Sequence, residues 1–308
     1  MTDGQKRLQL ANRIREGTTD LDALGWIVFW NLKNVDINQA QFKAYLTECG
    51  LNPKFALEHN YRSAFIRALR NLEEQRIIRR VDEDTNVIVY QFTAEKRTRQ
   101  DAGLRLDYEY ETRVVVDKNI YRESGDFEKA LIEGDGEIRK ALIALFSREK
   151  VRYRSPDVTR YIQRIFRTNA DIVTLRDQGS VYFVPSVFRS TVDAVAKLVA
   201  ALGGESTFDA IPMPNVSASR TLVKRAFSAE ADSLIKDLLA EIQSALDGGL
   251  RPNDDNYDKW AQGKMKKVEE IRNRVGLYGD VLNGGGDKIL KECADLETTI
   301  LKPRILMV

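Results

Sequence analysis

Histidine and cysteine are nearly missing from this chain. His59 is the single histidine, and Cys49 and Cys293 are the only cysteines in 308 residues. One imidazole and two distant thiols cannot supply the ligand set of a zinc site. The two cysteines read as reduced thiols, not as a disulfide framework. Long apolar runs are missing too: Trp26 to Trp30 is five residues, whereas a membrane helix needs ~18 or more. The opening MTDGQKRLQLANRIREGTTD lacks the continuous apolar core of a secretory signal. A cytoplasmic protein with no membrane partner is therefore expected. A large charge imbalance is lacking as well, since 48 Lys and Arg face 46 Asp and Glu for a net +2. Any polyanionic partner must be held by local clusters of charge, not by the overall field.

Catalytic signatures are equally scarce. Gly263-Lys264 is followed by Met265 instead of Ser or Thr, and no glycine stands five residues before Gly263, so there is no Walker loop. Asn283 to Lys288 is glycine-rich without that spacing. No Gly-x-Ser-x-Gly and no Asp/Glu-x-Lys occurs, which removes the serine-hydrolase elbow and the usual metal-dependent nuclease pair. Ser147 to Lys150 fits a bare Ser-x-x-Lys, a spacing common by chance in helices. A non-enzyme without cofactor or metal is the reading.

What the sequence does contain is a succession of short, alternating elements. Residues 21–34 (LDALGWIVFWNLKN) read as an apolar helix after a Thr-Thr-Asp start signal. Residues 38–48 give a second amphipathic segment, and Leu57 to Gln75 a third. Ile77 to Val81, an acidic turn Asp82 to Asn86, and VIVYQF (87–92) make a β-hairpin. Residues 104–116 are a strand or two strands. A helix follows from the EGDGE segment (133–137) to Lys150. Ser155-Pro156-Asp157 starts another, running to about Thr168. IVTLR, the turn 177–179 and SVYFVP make a second hairpin. Val187 to Leu202 is helical and ends at Gly203-Gly204, and Ile211 to Asn215 reads as a Pro-bracketed linker. Leu222, Phe227, Ala231, Leu234, Leu238, Ile242 and Leu246 fall on one helical stripe. Val268, Ile271, Val275, Tyr278 and Leu282 form a 3-4 seam, with a last helix near 287–301.

Three helices followed by a hairpin within the first hundred residues resemble the winged-helix superfamily. The expected fold class is thus α+β, mostly α. A winged-helix module occupies 1–97, a β-ribbon and second winged-helix-like unit 98–210, and a C-terminal helical hairpin 211–308. The run GSVYFVPSVF, followed by a small-residue helix and IPMP, is also similar to an uncharacterised family of bacterial and phage proteins.

Two basic clusters suggest chemistry. Lys54 to Arg80 carries seven basic and three acidic residues, and 148–167 carries seven against Glu149 and Asp157. In the first cluster Tyr61, Phe65, Ala68, Leu69 and Leu72 share an apolar face. Asn60, Ser63, Arg67, Arg70, Asn71 and Glu74 lie opposite. In a winged helix that face enters the major groove, so the resemblance implies base reading by Arg67 and Arg70. In the second cluster Arg160, Arg164 and Arg167 recur at i, i+4, i+7, preceded by Arg152 and Arg154. They are the expected phosphate contacts. DNA binding is accordingly expected. The competing expectation is an adaptor or assembly subunit, with residues 217–301 serving self-association or a protein partner. The acidic wing DEDTN and the near-neutral net charge favour the adaptor, and the arginine stripes favour DNA.

Overall fold

The computed structural model describes residues 23–72, 76–100, 103–176, 181–250, 256–282 and 285–305. Residues 34–158 form one compact unit. Residues 1–33 together with 159–308 form the other. The cuts expected at 97/98 and 210/211 both fall inside strands.

The described chain opens with β1 (Ala23–Asn31), which corrects the helix expected over 21–34. Gly-Trp-Ile-Val-Phe-Trp is rich in β-branched and aromatic side chains. A strand covered on both faces loses its polar alternation and reads as a continuous apolar run, which is how it resembled a buried helix. The Thr-Thr-Asp signal lies outside the described residues. The first of the three expected helices is therefore not there.

In the unit 34–158, β2 (Asp36–Asn38) leads into α1 (Gln39–Glu48) through a capping box between Asn38 and Gln41. After a 3-10 turn at Pro53–Phe55, α2 (Tyr61–Arg70) starts at the cap Asn60. It buries Ala64, Phe65, Ala68 and Leu69, close to the expected core face. The expected hairpin follows as β3 (Arg76–Glu83) and β4 (Val87–Gln100), paired antiparallel. Its turn is set by Asp84, whose Oδ1 accepts from the Asn86 and Val87 amides at 2.6 and 2.7 Å. β5 (Gly103–Asp117) pairs along β4. The chain continues through α3 (Lys118–Ser124), α4 (Phe127–Ala130), β6 (Leu131–Glu133), α5 (Gly136–Lys150) and β7 (Arg152–Arg154). The sheet order is β3-β4-β5-β6, and β7 pairs separately with β2. Phe65, Phe92, Val114, Phe127, Leu142 and Phe146 fill the core between α2, α5 and the sheet.

The division between units falls after the first turn of α6 (Ser155–Asn169). β8 (Val173–Thr174), β9 (Val181–Pro185), α7 (Arg189–Leu202) and β10 (Thr207–Pro214) follow. They join β1 in an antiparallel sheet of order β10-β1-β9-β8. The second expected hairpin is thus present as β8–β9, though not as a free wing, because β1 occupies the other edge of β9; its turn 177–179 lies outside the described residues. Nor is the segment from Ile211 a linker: it completes the edge strand β10, where Pro212 and Pro214 are tolerated because an edge strand need not donate on its outer side. One sheet face carries Trp26, Val28 and Trp30, with Trp30 stacked on Phe166, Tyr182 and Phe208. On the other, Ile27 and Phe183 meet the C-terminal helices.

Those helices are α8 (Ser217–Asp247), α9 (Tyr257–Leu277), the short α10 (Gly279–Leu282) and α11 (Gly286–Ile305). On α8 the buried positions are Val223, Phe227, Ala231, Ile235, Leu238 and Ile242, so Ile235 takes the place expected of Leu234, which is 41% exposed. The seam Val268, Ile271, Val275, Tyr278 and Leu282 is buried as expected, against α8 and α11 of the same chain. The architecture is α+β with helix predominant. Among the described residues no helix is long and apolar enough to cross a membrane.

Candidate nucleic-acid interface

The expected reading face of α2 is largely engaged within its own unit. Asn60 caps the helix, its side chain accepting from the Ser63 amide at 2.9 Å. Asn71 donates from Nδ2 to the Arg67 carbonyl at 2.7 Å. Arg67 makes a two-pronged ion pair with Asp157, at 2.9 Å from Nη1 and 2.5 Å from Nη2, and stands beside His59. The Asp157 side chain is 2% exposed. Burial pushes its carboxyl up, but the Arg67 guanidinium and the Arg154 amide N–H outweigh that and hold it below its ordinary value. Arg67 is therefore a structural counter-ion. Of the two expected readers, Arg70 alone stays exposed.

Arg152 and Arg154 are also occupied. Arg152 grips Asp36 with Nε and Nη2 and reaches Glu149 at 3.1 Å from Nη1, while Arg154 reaches Glu149 at 3.0 Å. Glu149 is fully buried, and the pairing with Arg152 lowers the Asp36 carboxyl. Alternation on the short strand β7 sends both arginines to the same side, where this buried carboxylate needs neutralising.

The row on α6 is different. Tyr161, Ile162, Ile165 and Phe166 are buried, which turns Arg160, Arg164 and Arg167 outward. All three are exposed and have no carboxylate partner among the described residues. Arg167 then lines an open groove of about 980 Å³, bounded by the segment after α6 and by α8 and α9. Arg176 and Arg225 line it too, again exposed and without a carboxylate partner among the described residues. On the groove wall Arg274 donates to Asp171 at 2.7 and 3.0 Å and to Glu230 at 2.9 Å, and Tyr278 donates to Asp171 at 3.1 Å. Burial works against the Arg274 charge, but the two carboxylates outweigh it, and the guanidinium stays protonated. Four arginines thus face two carboxylates in the groove, and Arg160 and Arg164 extend the positive surface along α6. Sequence reading missed Arg176 and Arg225. Their only local signal was position: one flanks the hairpin next to α6, the other lies off the apolar stripe of α8. Among the described residues no group of three or more His, Cys, Asp or Glu is placed to hold a metal ion.

Fold and groove together define an α+β chain of two units, one of which carries an arginine-lined, solvent-open groove. Residues 23–302 match the model of a family of unknown function (DUF6744), and the chain belongs to that family. The resemblance read from GSVYFVPSVF and IPMP fits a family of this kind. The match lends no support to a winged-helix superfamily. No curated protein and no solved structure matches the chain.

Proposed function

We propose that the protein is a non-enzymatic DNA-binding protein that holds the phosphate backbone with Arg160, Arg164, Arg167, Arg176 and Arg225. One observation carries this reading: these five arginines are exposed with no carboxylate partner among the described residues, whereas Arg67, Arg152 and Arg154 are each spent on a carboxylate. Unpaired guanidinium groups on one surface repel each other, and a polyanion relieves that repulsion. On this reading the α1–α2–β3–β4 run is a winged-helix-like frame that no longer reads bases, and the protein works in the cytoplasm with both thiols reduced.

The test is fluorescence anisotropy of a labelled random duplex, titrated with the full-length protein at several salt concentrations. Affinity is expected to fall steeply with salt. In the variant Arg160→Ala/Arg164→Ala/Arg167→Ala the log–log slope should become shallower by about 2.7, at ~0.9 per lost phosphate contact. Absence of binding at low salt would sink the proposal and favour the adaptor, a role consistent with the engagement of Arg67, Arg152 and Arg154.

A further inference from the structure

The chemistry of the groove also bears on which form of nucleic acid it takes. Sequence readout requires side chains that present paired donors and acceptors to base edges, chiefly Arg, Asn and Gln on an element that enters a groove. The helix expected to do this has Arg67 chelated by Asp157, Asn71 bonded to the Arg67 carbonyl, and Asn60 used as a cap. Apart from its arginines, the polar side chains lining the arginine groove are Asp171, Glu230, Thr174 and Ser233. Both carboxylates are held by Arg274. What faces outward is a set of guanidinium groups, a surface suited to phosphate oxygens.

Single strands are usually gripped by combining such a surface with exposed aromatic faces on which bases stack. In this unit the rings are used inside the protein. Trp30, Phe166, Tyr182 and Phe208 stack together, Phe227 lies on Tyr278, and Tyr257 is buried beside Trp260. The remaining aromatic residues, Phe29 and Phe188 among them, are at least partly covered. The geometry of the row suits a regular backbone. From Arg160 to Arg167 the helix rises about 10.5 Å, comparable to the axial rise of roughly three base pairs of a duplex at ~3.4 Å each.

We infer that the arginine groove takes double-stranded nucleic acid through its phosphates, irrespective of base sequence. This inference rests on the nucleic-acid reading above and narrows it. Two short duplexes of unrelated sequence and the single strand of one of them are titrated against the full-length protein across a salt series. The duplex affinities are expected to differ by less than about five-fold, the smallest effect of one specified base pair. The single strand should bind more weakly. The duplex slope should approach −4.5, about −0.9 for each of five contacts. Arg160→Ala/Arg164→Ala/Arg167→Ala is expected to weaken both duplexes by the same factor, because phosphate contacts carry no sequence information. A larger sequence preference, equal or tighter single-strand binding, or unequal weakening of the two duplexes in the alanine variant overturns the inference and leaves the broader reading standing. No binding of either duplex or single strand by the unaltered protein at low salt overturns both. Unchanged thermal melting of the variant checks that its fold is intact, as expected for exposed positions.

Discussion

Arg67 shows how one side chain can carry the chemistry of a reader and the job of a counter-ion. Its partner Asp157 is almost completely covered, so Arg67→Ala strands a carboxylate away from water. The expected cost is about 3 kcal/mol, seen as a lowered denaturation midpoint, with duplex binding unaltered when measured where the variant is folded. A loss of binding without a loss of stability would restore Arg67 as a contact residue. The same pair has a pH signature. Because the folded Asp157 carboxyl lies below its ordinary value, the stability it lends is complete above the usual carboxylate range. That stability is lost as pH falls through the lowered value. The gap in melting temperature between the wild type and Asp157→Asn should therefore narrow as pH drops from about 7 toward about 3. A gap that widens in acid contradicts the assignment. Gly25 is constrained differently: a Cβ there would sit 2.2 Å from the Val184 carbonyl oxygen and 2.6 Å from the Phe183 ring. Gly25→Ala must push β1 from β9 and is expected to destabilise by about 3 kcal/mol in a denaturant titration.

At the scale of elements, what was legible followed from local chemistry. The α9 seam was read correctly because a one-sided apolar period of 3.6 has no other use, and Val268, Ile271 and Val275 are buried. The β3–β4 hairpin was legible because its acidic turn offers Asp84 to two backbone amides. β1 was misread because both of its faces are covered, and β10 because its prolines suggest a linker until an edge position is known. For the candidate site, the outward row of α6 was visible as a pattern. The capture of Arg67 by Asp157 was not, since the two residues are far apart in sequence and meet only through folding. Since the seam of α9 is filled from within the chain, Ile271→Ala should cost about 3 kcal/mol of stability without changing the molecular mass in light scattering. A fall in mass would mean that the seam joins two copies.

At the scale of the molecule, the unit 34–158 is an uninterrupted stretch of chain placed within the sequence of the other unit. It has its own core and its own sheet, so residues 34–158 expressed alone are expected to unfold cooperatively by circular dichroism; a non-cooperative melt would show that the unit needs the rest of the chain. The arrangement also bears on biosynthesis. β1 lies between β10 and β9, yet these neighbours are encoded about 180 and about 160 residues later. At ~5–20 residues per second, the ribosome leaves Trp-Ile-Val-Phe-Trp without its neighbouring strands for on the order of ten seconds. During that interval the intervening segment has time to fold, while the apolar ribbon that precedes it keeps two unpaired strand edges, the kind of exposed surface from which aggregation starts.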